Sequence, residues 1–284
     1  MPKPLLAVDA PSLLYRAFFA LPASITGAGG RPVNALLGAV NMLLREIEAH
    51  DPRAVVCCFG PDAADYRVEL YPGYHADREE MPGELAWQWE RAPALFEALG
   101  WRCVHHDSLE ADDLLGAFAT AERAAGGEAL LLTGDRDLFQ CAGDGVAVLY
   151  LKTGAKGAEV VDAAEVERRY GVPPALVPDF IALRGDPSDG LPGAKGIGEK
   201  TAAALLRKHG SLEAAIAARE EETPRIATAL ADELLPAYKE IATLRPVADE
   251  RPPDRATDHA GGAAAARELG MERLAARLEQ AAAG

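Results

Sequence analysis

Two carboxylates three residues apart, Asp186 and Asp189, stand at the head of a glycine-rich stretch that runs to Thr201. Other acids are grouped as tightly. Glu110, Asp112 and Asp113 fall within four residues, Asp135 and Asp137 bracket Arg136, and Asp9 ends a short apolar run. On a helix, positions i and i+3 are about 60° apart, so Glu110 and Asp113 share a face, while Asp112 points elsewhere and could bridge to a second ion. Carboxylates this dense repel one another and need cations, and an all-oxygen donor set favours Mg²⁺ or Mn²⁺. Two such ions about 4 Å apart clamp the attacking and leaving oxygens of a phosphodiester displacement. Taken singly, each acid reads as a helix cap or a solvated helix start. Together they point to a two-ion hydrolytic site.

The stretch after Asp189 carries a second kind of chemistry. Pro192-Gly193 breaks the chain, and Gly196-Ile197-Gly198 runs into a helical segment, with Lys195 and Lys200 on either side and Thr201 next. Glycines allow close backbone approach and unusual φ angles, and the free N–H groups of the following helix seat an anion. A Walker-type loop would need Lys directly after its last Gly, but Glu199 intervenes. A helix-hairpin-helix gripping one nucleic-acid backbone fits better than that loop, and better than a plain helix connection.

These groups must be positioned by a fold, and the pattern predicts an α/β one. Apolar strand-like runs lie at 5–8, 54–59, 102–106, 129–132 and 146–151, alternating with helices at 33–50 and 110–125, the latter opened by Ser108. Such alternation argues for a mostly parallel central sheet flanked by helices, with ligands beyond the carboxyl ends of the strands. Asp9, Asp135 and Asp137 follow strand ends there. After about residue 160 the pattern turns helical, at 163–170, 174–183, 200–208, 212–218 and 226–244. A Pro/Gly/charge-rich loop follows at 249–262 and a terminal helix at 263–283. The division is an α/β core over 1–160 and a helical subdomain over 161–284, with the helix-hairpin-helix at 178–208.

The 284-residue chain carries a net charge of −15, which at face value opposes a nucleic-acid partner. Setting aside Asp9, Glu110, Asp112, Asp113, Asp135, Asp137, Asp186 and Asp189 leaves 36 acids against 29 bases. Residues 184–208 carry five bases and, beyond Asp186 and Asp189, only Glu199. Charge distribution outweighs the sum. No apolar run approaches the roughly 20 residues that span a bilayer, and Asp9 and Arg16 interrupt the apolar N-terminus, against a signal peptide. Cys57, Cys58, Cys103 and Cys141 form no CxxC pair and read as reduced core residues of a cytoplasmic protein without a zinc site.

Several motifs, taken in order, carry a resemblance: Val8-Asp9-Ala10 with Leu14-Tyr15-Arg16; Gly30 to Ala35; Tyr74-His75-Ala76-Asp77-Arg78; Glu110-Ala111-Asp112-Asp113; Thr133 to Asp137; and Gly185 to Thr201. As a set they closely resemble the 5′ nuclease domain of bacterial DNA polymerase I, of the flap endonuclease family, from Asp9 to about Leu212. No polymerase region follows, so the chain is expected to be a stand-alone 5′ nuclease with a PIN-like fold, a helical arch near 71–92, and a role in removing flaps or primers. The resemblance implies that Asp9, Glu110 and Asp112 hold one ion, and that Asp135, Asp137 and Asp186 hold another, with Asp112 between them. Asp113 and Asp189 match acids that bind directly or through water. Arg78 matches an arch residue near the scissile phosphate, and Tyr15 and Arg16 match residues near the cleavage point. Gly193 to Lys200 matches the segment that grips duplex DNA and, in the family, often binds K⁺.

Two departures stand out. The family has Asp directly after the Phe of the second strand, and here Phe59 is followed by Gly60. Asp62, two residues on, is the candidate replacement. The arch places Lys where this chain has His75, whose charge depends on pH. The reading is a monomeric, divalent-ion-dependent 5′–3′ exonuclease and flap endonuclease acting on DNA junctions, with RNA–DNA primer hybrids as a further substrate. Gly60 and His75 keep open an alternative: a junction-binding protein with weakened catalysis.

Overall fold

The computed structural model describes residues 3–152, 157–247 and 250–283. The first residue of the loop expected at 249–262 lies outside them. Six strands, β1 (Leu5–Asp9), β2 (Ala54–Phe59), β3 (Arg102–His105), β4 (Ala129–Thr133), β5 (Val146–Leu151) and β6 (Ala158–Val161), form one sheet in the order β3-β2-β1-β4-β5-β6. The first five are parallel to their neighbours and β6 is antiparallel at the edge. β6 has no counterpart in the sequence pattern. It is four residues long, with Glu159 in its middle and only Val161 fully buried.

β1 and β2 are buried along their whole length, as expected of central parallel strands covered on both faces. Their side chains alternate between two cores. Leu5, Ala7, Ala54, Val56 and Cys58 face one, and Leu6, Val8, Val55, Cys57 and Phe59 face the other. Cys57, Cys58 and Cys141 are buried, Cys103 is at intermediate exposure, and none of the four is in a disulfide.

On one face lie α1 (Ala10–Ala20), α2 (Asn34–His50), α4 (Gly83–Trp89) and α5 (Ala92–Ala98). On the other lie α3 (Asp65–Leu70) and α6 (Ala111–Ala124), followed by the helical array α7 (Ala163–Tyr170), α8 (Val177–Arg184), α9 (Glu199–His209), α10 (Leu212–Ala217), α11 (Pro224–Leu230) and α12 (Leu235–Ala242). The N-cap position of α6 is Glu110 and not Ser108, whose amide and hydroxyl turn back to His106 Nδ1. The helix expected at 226–244 is two helices, α11 and α12. The expected terminal helix is also two, α13 (His259–Glu268) and α14 (Glu272–Ala283), parted at Gly270 with φ +75°.

α13 and α14 pack with α1, α2 and α5, away from the helical array that precedes them. The chain reaches them along residues 251–258. There Arg255 N donates to Arg53 O (2.8 Å), Asp258 N donates to Leu99 O (2.8 Å), and Arg53 and Arg251 both pair with the buried Glu122. Among the described residues no helix is long and apolar enough to cross a membrane.

The chain runs outward from β1 through β2 to β3, then returns to β4 on the other side. The topological switch therefore lies between β1 and β4, and the crevice beyond their carboxyl ends is where this architecture seats ligands.

Candidate active site

Asp9 ends β1 at that crevice. Its Oδ1 accepts from Ser12 N (2.9 Å), capping α1, and its Oδ2 accepts from Thr133 Oγ1 (2.7 Å). Thr133 Oγ1 accepts from Asp135 N (2.9 Å), and Asp135 Oδ1 accepts from Asp137 N (2.8 Å). One hydrogen-bonded chain thus ties the ends of β1 and β4 and fixes three acids. Asp186 and Asp189 come from the turn after α8, closed by paired backbone bonds of 2.8 Å between Asp186 and Leu191. Asp186 is held by Ser188 N (2.9 Å) and Arg184 Nη2 (3.1 Å).

An open cleft of about 950 Å³ is lined by Asp9, Glu110, Asp112, Asp135, Asp186 and Asp189, and by Tyr15, Arg16, Asp62, His75 and Arg78. Asp137 lies buried just behind, close enough that Asp135, Asp189, Asp186 and Asp112 all act on its charge. Burial, then neighbouring acids, pushes Asp112 and Asp137 well above the usual carboxylate range. Burial and the Asp189 charge carry Asp135 up to about 7. Asp9 is raised by burial against two hydrogen bonds that lower it.

Among the described residues no three His, Cys, Asp or Glu are drawn to the spacing of a preformed ion site. Like charges without a counter-ion are expected to stand apart. The donor set nevertheless fits a hard divalent cation. All of it is carboxylate oxygen, and Asp112 Oδ1 and Asp137 Oδ1 are buried with no hydrogen-bond partner, a costly state that an ion relieves.

Asp113 is not in this group. It is 0% exposed and turned into the interior, where Oδ1 accepts from Arg245 N (2.8 Å) and Arg67 Nη2 (3.2 Å). The i, i+3 relation to Glu110 holds, but the shared direction leads to Arg67. Asp62 reaches the cleft wall, yet its carboxylate pairs with Arg78 Nη1 (2.8 Å) and its side chain is 55% exposed. Gly60 is more than a missing carboxylate. A Cβ there would collide with the Leu109 carbonyl oxygen and approach Glu110 Cα to 2.8 Å. Backbone from the start of α6 fills the place of a side chain.

The basic residues of the cleft lie against its acids. His75 has φ +53°, uncommon for a non-glycine residue. Its ring stacks on Tyr74 at 3.8 Å and bonds Asp62 O (2.7 Å) and Asp189 Oδ1 (3.1 Å). Arg78 Nη2 lies 3.7 Å from Asp189. Arg16 Nε is buried without a partner. Tyr15 packs edge-on to Trp89 at 6.0 Å and stacks with Phe19 at 6.4 Å.

Between α8 and α9 the chain makes a compact hairpin, with Ala194 N donating to Leu183 O (2.9 Å). Gly193 has φ +67°, and a Cβ there would strike Gly185 N. Lys195, Gly196, Gly198 and Lys200 are exposed and Thr201 is half-buried. The surplus of bases in this region is partly spent. Arg184 pairs with Asp186 and Glu199, and Lys208 pairs with Glu222.

Residues 4–171 match the family described as 5′-3′ exonuclease, N-terminal resolvase-like domain, and residues 172–252 match 5′-3′ exonuclease, C-terminal SAM fold. A 5′-3′ exonuclease of Mycobacterium tuberculosis is 38% identical over 99% of this chain and 98% of its own length. The chain belongs to the 5′-3′ exonuclease family. It is an enzyme of DNA metabolism that hydrolyses phosphodiester bonds. A 5′-3′ exonuclease of Streptomyces coelicolor is 38% identical over 95% of this chain and 94% of its own. Thermostable DNA polymerase I of Thermus filiformis is 41% identical over 75% of this chain but only 24% of its own length. A solved phage T5 5′-exonuclease, described with bound zinc ions, shares the fold at TM-score 0.69 and 17% identity, over 98% of this chain and 99% of its own. The catalytic core of Rad2, described in complex with DNA, does so at 0.65 and 15%, over 98% and 92%.

In this 5′-3′ exonuclease several residues that hold the site were not evident from the sequence. Thr133 and Ser188 orient Asp9, Asp135 and Asp186, and each sits inside a motif already singled out, within two residues of an acid. Arg67 is different. Nothing around it in the sequence marks it, yet it is buried beneath Glu110.

Proposed function

We propose that the exonuclease cuts DNA at 5′ flaps and single-strand/duplex junctions, using two divalent ions, Mg²⁺ or Mn²⁺, held by the acids of the cleft. The observation that carries this is the pair of buried, partnerless oxygens, Asp112 Oδ1 and Asp137 Oδ1, beside the basic wall of His75, Arg78 and Arg16. Asp9, Asp112 and Glu110 would hold one ion, and Asp135, Asp137, Asp186 and Asp189 the other. When bound, such ions activate water and stabilise charge on both oxygens of an in-line phosphoryl displacement. His75, Arg78 and Arg16 would bind the scissile phosphate and turn it toward the acids. Tyr15 would stack on the base next to it. Lys195, Lys200 and Thr201, with the turn made by Gly193, Gly196 and Gly198, would grip the duplex backbone as a helix-hairpin-helix, with K⁺ at its carbonyls. The sheet is of PIN type, residues 71–92 form a short arch, and the helical subdomain begins near residue 160 and ends with α12, while α13 and α14 belong with the core. The protein works as a monomer in the cytoplasm, and RNA–DNA primer hybrids are a second substrate.

Cleavage of a labelled 5′-flap duplex, with Mg²⁺ and Mn²⁺ titrated separately and Asp112→Asn as control, tests this. Cutting near the junction by the wild type alone supports it. The compromised first position at Gly60 makes Mn²⁺ the better ion. Tight junction binding without cutting by either ion would instead support a binding protein with weakened catalysis.

A further inference from the structure

Arg67 lies on α3, is 3% exposed, and bonds to three groups from two other segments, the start of α6 and α12. Nη1 lies 2.5 Å from Glu110 Oε2, Nη2 donates to Asp113 Oδ1 (3.2 Å), and Nε donates to the carbonyl of Ile241 in α12 (3.1 Å). The other donors to Glu110 flank α3. They are Ala64 N to Oε1 (2.7 Å) and Tyr74 Oη to Oε2 (2.9 Å), the latter one residue before His75. Glu110 is therefore clamped by the segment that leads to the basic wall. Its negative charge is already shared with a resident guanidinium.

We propose that Arg67 is a positioning residue: its fork holds Glu110 in the ion-binding geometry, withdraws Asp113 from the ion-holding set, and ties both to the segment bearing His75 and Arg78. A planar guanidinium with fixed donors can do this where a point charge cannot. Arg67 also competes for the charge Glu110 offers an ion. The site therefore trades ion affinity for a fixed carboxylate. This rests on the two-ion reading above.

The test pairs Arg67→Met with Asp113→Asn, so that Asp113 is not left as an unpaired charge inside, and adds Arg67→Lys alone. Free Mn²⁺ is followed by electron paramagnetic resonance, and single-turnover cleavage of the flap duplex is measured at saturating Mn²⁺. In the double variant Mn²⁺ binding should tighten by about threefold or more, because Glu110 no longer shares its charge. Its rate should fall at least tenfold, since a misplacement of about 1 Å costs up to about 10²-fold. Arg67→Lys should keep Mn²⁺ affinity within about twofold and still lose rate. A purely structural role would lower rate and affinity together, and that result overturns the proposal, as does a folded double variant with wild-type affinity and rate. If the double variant does not fold, a wild-type rate for Arg67→Lys overturns it. Wild-type protein that takes up no Mn²⁺ fails the two-ion reading itself.

Discussion

The His75 ring joins Asp189 to the backbone of Asp62: Nε2 faces Asp189 Oδ1 at 3.1 Å while Nδ1 faces the Asp62 carbonyl at 2.7 Å. Both partners accept, so the ring satisfies both only when it carries both protons. In that form it would supply the positive charge that the resemblance places on a lysine. His75→Lys keeps a positive charge at this place and should cleave at close to the wild-type rate. His75→Gln should cost about 10²-fold in rate, the usual loss for one aimed donor. A His75→Lys rate as low as that of His75→Gln would count against this role.

Asp112→Asn should abolish cleavage and leave junction binding intact. Asp112 Oδ1 is buried and partnerless, and its neighbours Asp135 and Asp9 repel it. Removing the charge relieves that repulsion, so the ion-free melting temperature should hold or rise by about 2–4 °C. The added stability from Mg²⁺ or Mn²⁺ should shrink. Loss of the folded state, seen by circular dichroism, would mean the residue is structural.

Asp135 sets a pH dependence of stability. Its value in the folded chain, about 7, lies above the ordinary 3.8. The folded chain thus keeps a proton that the unfolded chain gives up between those values. Its contribution is full below 3.8, declines as pH rises, and is lost above about 7. Without divalent ions the melting temperature should fall from about pH 5 to about pH 8, and added Mg²⁺ should stabilise more at the upper end. A flat ion-free curve would contradict this.

Lys195→Ala and Lys200→Ala should weaken binding to all junction sequences alike. Each should reduce the slope of log affinity against log salt by about 0.9 for every phosphate left without its lysine. Sequence-selective weakening, or an unchanged slope, would remove these lysines from the interface.

Gly60→Ala should destabilise the protein by about 1–3 kcal/mol, because its Cβ meets the Leu109 carbonyl and Glu110 Cα. Gly60→Asp should be no better and should not tighten Mn²⁺ binding. Chemical denaturation and the same Mn²⁺ titration check both.

Much of this site was legible in the sequence because its acids lie at the ends of strands and helices or in the turns beside them, and those boundaries are written in apolar runs and motif spacing. Asp9, Glu110, Asp112, Asp135, Asp186 and Asp189 meet at one cleft for that reason. Asp113 turns away from the cleft: helical spacing fixes the direction of its side chain but not what waits there, and Arg67 waits there. Asp62 shows the same limit, since its nearest cation is Arg78. The breaks that part α11 from α12 and α13 from α14 fall in continuous apolar-periodic stretches. Two cues were visible: Pro236, which sits in the first turn of α12 where proline marks a helix start, and Gly270, a weak one because an isolated glycine is tolerated within a helix. β6 was missed because one buried residue in four gives no alternation.

The hydrogen bond from Thr133 to Asp9 has a consequence for how the molecule comes into being. It closes a loop of 124 residues, and β1 must wait for β4 before its carboxyl end is complete. Distant pairings of this kind form late and slowly. A partly folded chain therefore holds every acid but no cleft, and cannot cut the nucleic acid around it. Nuclease activity reports the finished molecule.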